Sequence, residues 1–410
     1  MHSRTIAILV FCSVFVQLSA AQVKTGADLL FEKYIRLIDG KNVGLVTNHS
    51  ALLSNGQHLA DTLSKTSCKL VALFGPEHGI RGDAPDGKNL THGTDAKTGV
   101  PVYSLYGSIN KPTPEMLKDV EVLLFDIQDV GVRFYTYIST LSYAMEAAAE
   151  NNIPFILLDR PNPIRGVHVD GFIREDSLRS FVGLHPIPIA HGMTVGELAM
   201  LFNEEGWLKN GIKASLTVVK MEGWKRSMWY DQTGLRWIKP SPNMATLATA
   251  IVYPGTCLIE GTNLSEGRGT QKPFEYIGAP FIDGKKWAEV LNRQKLPGVK
   301  FEPIEFTPHS IAGVTVHPKY DSLKCYGIQV KVVNRNQYKP VQTGVFILST
   351  VKQLFADSLR WRERSIDRLS GTPNLRRMID AGKPAKEIVG AWGEEVEKFR
   401  IVRKKYLLYK

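Results

Sequence analysis

One repeating order in the first half of this 410-residue chain constrains its fold more than any other feature. Short apolar runs alternate with stretches of helical periodicity, and each run breaks into polar residues on its C-terminal side. Asn42–Val46, Lys69–Phe74, Glu121–Phe125 and Pro154–Leu158 read as buried strands. Ala27–Ile38 places Leu29, Leu30, Tyr34 and Leu37 at helical spacing and is stopped by Gly40; Thr136–Asn151 is the clearest helix. Val195–Glu205 and Leu216–Val219 continue the series. Strand and helix in alternation predict βαβ units and an α/β fold with a doubly wound parallel sheet.

The polar ends of the runs are Thr47-Asn48-His49, Gly75-Pro76-Glu77-His78-Gly79, Asp126-Ile127-Gln128-Asp129 and Asp159-Arg160-Pro161-Asn162-Pro163. Ligands of open parallel sheets bind outside the carboxyl ends of the strands. Helix caps and turns account for Asn48, Asn162 and the prolines one by one. They account less well for four strands delivering polar groups to one edge.

From about Lys239 the texture changes. Prolines and glycines crowd Lys239–Gly284; a β-rich stretch (Tyr326–Val333), a helix (Gly344–Asp357) and basic helical segments follow, ending in the amphipathic run Glu394–Lys410. These predict a catalytic domain over residues 22–280 and a smaller C-terminal α/β domain over residues 281–410.

Residues 1–21 read as a signal peptide. A short basic start precedes the apolar run Ile6–Val16, and small residues lead to a cut after Ala21. No later apolar run reaches the roughly 18 residues of a membrane span, so a protein exported across the inner membrane, into the periplasm, is expected. With 51 Lys+Arg against 40 Asp+Glu the net charge is +11, which favours an anionic partner. No nucleic-acid motif stands behind that charge, and none is expected to bind. Cys68, Cys257 and Cys325 lack metal or redox spacing and read as buried thiols.

No G-x-x-x-x-G-K-[ST], no G-x-G-x-x-G after a strand and no G-x-S-x-G occurs, so neither a nucleotide cofactor nor a serine nucleophile elbow is supported. His49, His78, His92 and His191 match no metal-ligand spacing. The expectation is no cofactor and no metal. Carboxylates remain. Glu77, flanked by glycines, His78 and Arg81, suits a general acid. Asp126 stands at a neighbouring strand end, and acids so placed can face each other across the roughly 5–9.5 Å used in glycoside hydrolysis. Asp126 can equally be a buried structural acid. Gln128, Asp129, Arg133, Tyr135 and Tyr137 follow it and suit a sugar. Glu260-Gly261-Thr262-Asn263-Leu264-Ser265-Glu266-Gly267-Arg268 is a second polar, glycine-rich stretch.

Several long blocks carry a resemblance: GLVTNHSA (Gly44–Ala51), LFGPEHGIRG (Leu73–Gly82), LLFDIQDVGVRFYTY (Leu123–Tyr137), LLDRPNPIRG (Leu157–Gly166), PIAHGMTVGELA (Pro188–Ala199), PSPNM (Pro240–Met244), YPGTCLIEGTNLSEGRGT (Tyr253–Thr270) and GAPFID (Gly278–Asp283). The chain resembles the NamZ-type exo-β-N-acetylmuramidases. That resemblance implies a Rossmann-like domain, a smaller C-terminal domain and an active cleft at their junction. It implies release of N-acetylmuramic acid from the non-reducing ends of peptidoglycan fragments, and it makes Glu77 the favoured catalytic residue. The second group stays open between Asp126, Glu266 and the substrate's own 2-acetamido group. Arg81, Arg133, Arg160 and Arg268 are candidate cations for the lactyl carboxylate; Asn48, His78, Gln128, Asp129, Tyr135, Tyr137 and Asn263 complete the candidate site. Two other readings stand beside the glycosidase: a non-catalytic periplasmic muropeptide or sugar binder, and a metal-dependent amidase or deacetylase on the same polymer.

Overall fold

Seven strands form the main sheet: β1 (Asn42–Thr47), β2 (Lys69–Gly75), β3 (Gly93–Thr94), β4 (Pro101–Ser104), β5 (Val122–Asp126), β6 (Phe155–Leu158) and β7 (Leu216–Val219). This computed structural model describes residues 22–82 and 93–410; the expected signal peptide and His92 lie outside the described residues. The strand order is β3-β4-β2-β1-β5-β6-β7, and every pair is parallel except β3 with β4. Strands covered on both faces read as unbroken apolar runs, which is why β1, β2, β5 and β6 were visible in the sequence. Leu45, Leu73, Leu124 and Ile156 pack on one face, and Val46, Phe74, Phe125 and Leu157 on the other.

The chain leaves β1 toward β2 and β4 on one side, then returns to lay β5 against the other side of β1. That reversal is the topological switch point, and the crevice outside it is where doubly wound sheets hold ligands. Thr47 pairs with Asp126 across this point, and Val46 with Phe74.

The expected helix at Thr136–Asn151 is Tyr137–Glu150, and Val195–Glu204 starts at a capping box between Thr194 and Glu197. The first helix is shorter than its periodicity suggested. It spans Gly26–Lys33, and the Tyr34 N–H closes on the Leu29 and Leu30 carbonyls before a single 3-10 turn at Ile35–Leu37. Leu37 therefore continues the apolar face in a separate turn.

A second, antiparallel sheet contains β8 (Tyr276–Ala279), β9 (Val299–Phe306) and β10 (Cys325–Val332) in the order β8-β10-β9. Helices Gly284–Arg293 and Pro340–Leu354 complete this smaller unit. The second of these begins at Pro340 rather than near Gly344, because proline is favoured in the first helical turn. Pro340–Leu354 also packs on helix Leu247–Thr256 at a glycine contact. A Cβ on Gly255 would lie 1.9 Å from the Pro340 carbonyl oxygen, so only glycine permits this approach. Helix Gly393–Lys404 buries Val396, Phe399 and Arg403. Beyond it the tail returns to the main sheet, where the Tyr409 hydroxyl donates to Asp159 Oδ2 (2.5 Å) and Leu408 N donates to Glu197 Oε1 (2.9 Å). Cys68, Cys257 and Cys325 are buried, unbridged thiols.

Buried His185 contributes to the acid sensitivity of stability. His185 shares a 2.5 Å hydrogen bond with Ser142 and stacks on Phe202 at 3.8 Å. Burial, then Arg179 and Arg174, pulls its pKa down to about 3 from 6.5. Below pH 6.5 the unfolded chain takes a proton there that the folded chain refuses. Stability from this group is therefore complete above pH 6.5 and is lost as pH falls toward 3. Urea unfolding should show a loss of about 1.4 kcal/mol per pH unit from this residue over that window. His185→Gln should flatten that part of the profile; an unchanged slope would show that His185 is not its source.

Candidate active site

Glu77 follows the end of β2 in a turn that forces two consecutive residues, His78 and Gly79, to φ 74°. A left-handed histidine is strained backbone, a feature concentrated at functional sites. The turn is held against the segment following β1: a Cβ on Gly82 (φ 74°) would lie 2.3 Å from His49 Nδ1. The Glu77 carboxylate accepts a hydrogen bond from Thr136 Oγ1 (3.2 Å), at the start of helix Tyr137–Glu150. Tyr106 also bonds to it; burial, then the charge of Glu77, holds the Tyr106 hydroxyl protonated well above its ordinary range.

Glu77 sits at the rim of a cavity of about 90 Å³. Glu77, Thr136 and Arg268 are its partly exposed members. His78, Ser241 and Asn243 add polar groups, and Phe134, Tyr135, Tyr137, Met244, Tyr253 and Phe274 form a buried wall. The rings meet edge to face: Tyr135–Tyr137 at 4.9 Å, Tyr253–Phe274 at 4.7 Å and Phe134–Tyr253 at 5.5 Å. The Tyr137 hydroxyl donates to the Pro240 carbonyl at 2.6 Å, which fixes its ring. The Tyr135 hydroxyl bonds to Ser241 and Tyr137, and Asn48 to Tyr137; outside the cavity lining, Gln128 Oε1 and Asp129 Oδ1 are buried without a protein hydrogen-bond partner. Buried polar atoms are nearly always paired, so these two atoms hold capacity for solvent.

Arg268 lies over Phe274 (5.1 Å to the ring centre) and donates to Glu260 Oε1 at 2.9 Å. Its Nε is 3.5 Å from Glu266 Oε1, and Lys319 Nζ is 3.0 Å from Glu266 Oε2. Burial pulls Arg268 down to about 10, with Glu77 opposing, so it is still charged at neutral pH. Burial, then the negative charge of Glu266, pushes Glu260 up to about 8.

Of the other candidates, several are tied into the fold. Asp126 is fully buried and receives Arg160 bidentately, Nε to Oδ1 at 2.5 Å and Nη2 to Oδ2 at 2.9 Å. Asp126 is therefore the structural acid of the two readings, and Arg160 is its counter-ion. Arg81 pairs with Asp95 (2.9 and 2.7 Å) and Asp61 (2.7 Å) and does not line the cavity. Arg133 is buried and gives its guanidinium to the carbonyls of Phe172, Ile187 and Leu369 (2.7–2.8 Å), a tie between distant parts of the chain. Asn263 holds the backbone of Ser358 and Arg360 at 2.9 Å each. Gln128 Nε2 donates to the Asp129 and Pro161 carbonyls, both at 2.8 Å. Asn48 Oδ1 accepts from Ser50, and Asp129 Oδ2 accepts from Gly131 N at 2.6 Å, with His191 Nε2 at 3.7 Å. His49 reaches the Lys239 carbonyl at 2.7 Å. Among the described residues no three His, Cys, Asp or Glu side chains are grouped as a metal ion requires.

Glu77, His78, Tyr135, Tyr137 and Arg268 are brought together at the cavity. Tyr106, Thr136, Ser241, Asn243, Tyr253 and Phe274 were not singled out from sequence. Ser241 and Asn243 lie in the Pro240–Met244 block and Tyr253 opens the Tyr253–Thr270 block, so the resemblance marked the segments without marking the residues.

A cavity holding a carboxylate beside the switch point of a doubly wound sheet is where an α/β enzyme places its site. The family model described as exo-beta-N-acetylmuramidase NamZ, N-terminal, matches residues 43–248, and that described as exo-beta-N-acetylmuramidase NamZ, C-terminal, matches residues 251–409. The chain belongs to the exo-β-N-acetylmuramidase NamZ family, a family of glycoside hydrolases. It is 49% identical over 390 residues to peptidoglycan beta-N-acetylmuramidase NamZ of Bacillus subtilis (strain 168), a match covering 95% of this chain and 92% of that protein. Two solved DUF1343 family proteins from Bacteroides fragilis NCTC 9343 share the fold. One has TM-score 0.87 at 40% identity and the other 0.79 at 34%, each match covering 95% of this chain and 99% of the solved one.

Proposed function

We propose that this enzyme removes N-acetylmuramic acid from the non-reducing ends of peptidoglycan fragments, with Glu77 as the acid that protonates the departing glycosidic oxygen. The observation that carries this reading is the placement of Glu77 and Arg268 on the rim of one aromatic-walled cavity. An acid and a cation lining one cavity suit a sugar that carries a carboxylate on the same ring whose anomeric bond is cut. Asp126 is bound to Arg160 inside the fold, and neither Asp126 nor Glu266 lines the cavity. The attacking group is then the substrate's 2-acetamido oxygen. It bonds to the anomeric carbon as the glycosidic bond breaks and the leaving oxygen takes the Glu77 proton. Water next opens the cyclic intermediate and returns a proton to Glu77. Tyr135, whose hydroxyl meets Ser241 and Tyr137 in the cavity wall, orients the acetamido group. The wall of Tyr253 and Phe274 closes the deep end, which restricts the cavity to a terminal sugar.

The basic start, apolar run and small residues of positions 1–21 support export as a leader, and with it action in the periplasm on cell-wall turnover products. No helix of the described residues is long and apolar enough to cross a membrane. Arg268 receives the lactyl carboxylate. A charge-assisted pair of this kind is worth about 1.5–3 kcal/mol, roughly ten- to a hundredfold in kcat/KM. The test compares an aryl β-N-acetylmuramoside with the matching N-acetylglucosaminide. The native enzyme should prefer the muramoside, and Arg268→Gln should lose most of that preference through KM. Equal preference in the two enzymes would remove Arg268 from this role, and a native enzyme that releases no muramic acid would remove the reading itself.

A further inference from the structure

A second cavity of about 200 Å³ lies on the other side of helix Leu247–Thr256, lined by Ile251 of that helix, two residues from Tyr253 of the Glu77 cavity. Residues two apart on a helix point to opposite faces. The rest of the lining comes from both parts of the chain: Arg165 and His168 after β6, Trp229 after β7, and Arg335 and Tyr338 ahead of Pro340. No carboxylate lines it.

The charges here are arranged unlike an ordinary packing contact. The Arg165 and Arg335 guanidinium carbons lie 5.4 and 5.1 Å from the centre of the same Trp229 ring. Trp229 is itself fixed, with Nε1 donating to Asn336 Oδ1 at 2.8 Å. Arg335 has one acidic partner, Asp231 at 2.6 Å. Arg165 makes no ion pair among the described residues; its Nε donates to the Ser227 carbonyl at 3.1 Å, and it sits in left-handed backbone at φ 77°. Two part-exposed guanidiniums thus share one ring with a single carboxylate, which pairs with Arg335 alone, leaving an excess of positive charge that an anion would join. Two further groups can donate. His168 Nε2 is buried and unpartnered, and the Tyr338 hydroxyl, 5% exposed, accepts from Thr343 and keeps its own proton to give. Burial, then Arg165, Arg400 and Lys339, pulls His168 down to about 4, the mark of a locally positive field.

We propose that this cavity binds a small oxyanion, a phosphate or carboxylate group, held by Arg165 and Arg335 with His168 and Tyr338 as neutral donors. Guanidinium forks match both groups, and the apolar sides of Ile251 and Pro340 leave space for a short organic remainder. Bound there, the anion ties the loops after β6 and β7 to the segment ahead of helix Pro340–Leu354. The site owes nothing to the muramidase reading and stands if that reading fails.

The test is calorimetric titration of the whole protein in a chloride buffer, with inorganic phosphate in one arm and acetate in the other. Saturable one-to-one binding of either is the expected result, and the arm that binds names the group. Arg165→Gln should weaken binding about tenfold or more. Tyr338→Phe removes one hydroxyl and keeps the ring; it should weaken binding about threefold or more while leaving the melting temperature without ligand unchanged. No saturable binding in either arm would overturn the proposal, and so would affinity unchanged by Tyr338→Phe and Arg165→Gln.

Discussion

Glu77→Gln will fold like the native protein and lose turnover by about a hundred- to ten-thousandfold, the range contributed by a positioned general acid. The amide keeps the size of the side chain and can still accept from Thr136 Oγ1, the 3.2 Å bond that positions it. It cannot give a proton to the departing oxygen. The loss should fall on kcat, with KM nearly unchanged, because the proton is needed in the transition state and not in the ground state. An activated aryl leaving group needs less protonation, so the deficit should shrink on such a substrate. A Glu77→Gln enzyme with native kcat on natural fragments would take the acid role away from Glu77.

The second large effect is on stability. Arg160→Leu strands the Asp126 carboxylate, which is fully buried and receives two of its hydrogen bonds from that guanidinium. Removing one member of a buried pair typically costs about 3–5 kcal/mol, because the other charge remains unpaired. Urea unfolding at pH 7 should show that loss. Adding Asp126→Leu should recover much of it, since replacing both partners by apolar groups is often nearly neutral. A single-variant loss below about 1 kcal/mol would mean that water or another cation reaches Asp126.

These two residues also show where the sequence could be read and where it could not. Glu77 and Asp126 each end an apolar run and look alike along the chain. Folding separates them: Glu77 turns outward on a strained His78-Gly79 backbone, while Asp126 meets Arg160 inside. The arginines divide in the same way. Arg133 spends its guanidinium on carbonyls as far away as Leu369, and Arg81 on Asp61 and Asp95, whereas Arg268 reaches the cavity. Nothing local distinguishes them, because the deciding partners are distant in sequence. The parallel sheet was legible since burial on both faces demands apolar runs. β9 was not, because Pro303 interrupts the alternation of Val299–Phe306 and a proline inside a run argues against a strand. The aromatic wall was legible in part: Tyr135, Tyr137 and the Tyr253–Thr270 stretch stand out in the sequence, whereas Phe134 and Phe274 look like core residues until the fold turns them to one cavity.

The most direct test of the central claim is a crystal structure of Glu77→Gln with a short muramic-acid-terminated glycan. The account predicts the terminal sugar in the aromatic-walled cavity, its glycosidic oxygen within about 3 Å of the residue 77 carboxamide, and its lactyl carboxylate on Arg268. A terminal sugar bound with its glycosidic oxygen out of reach of residue 77 would contradict it.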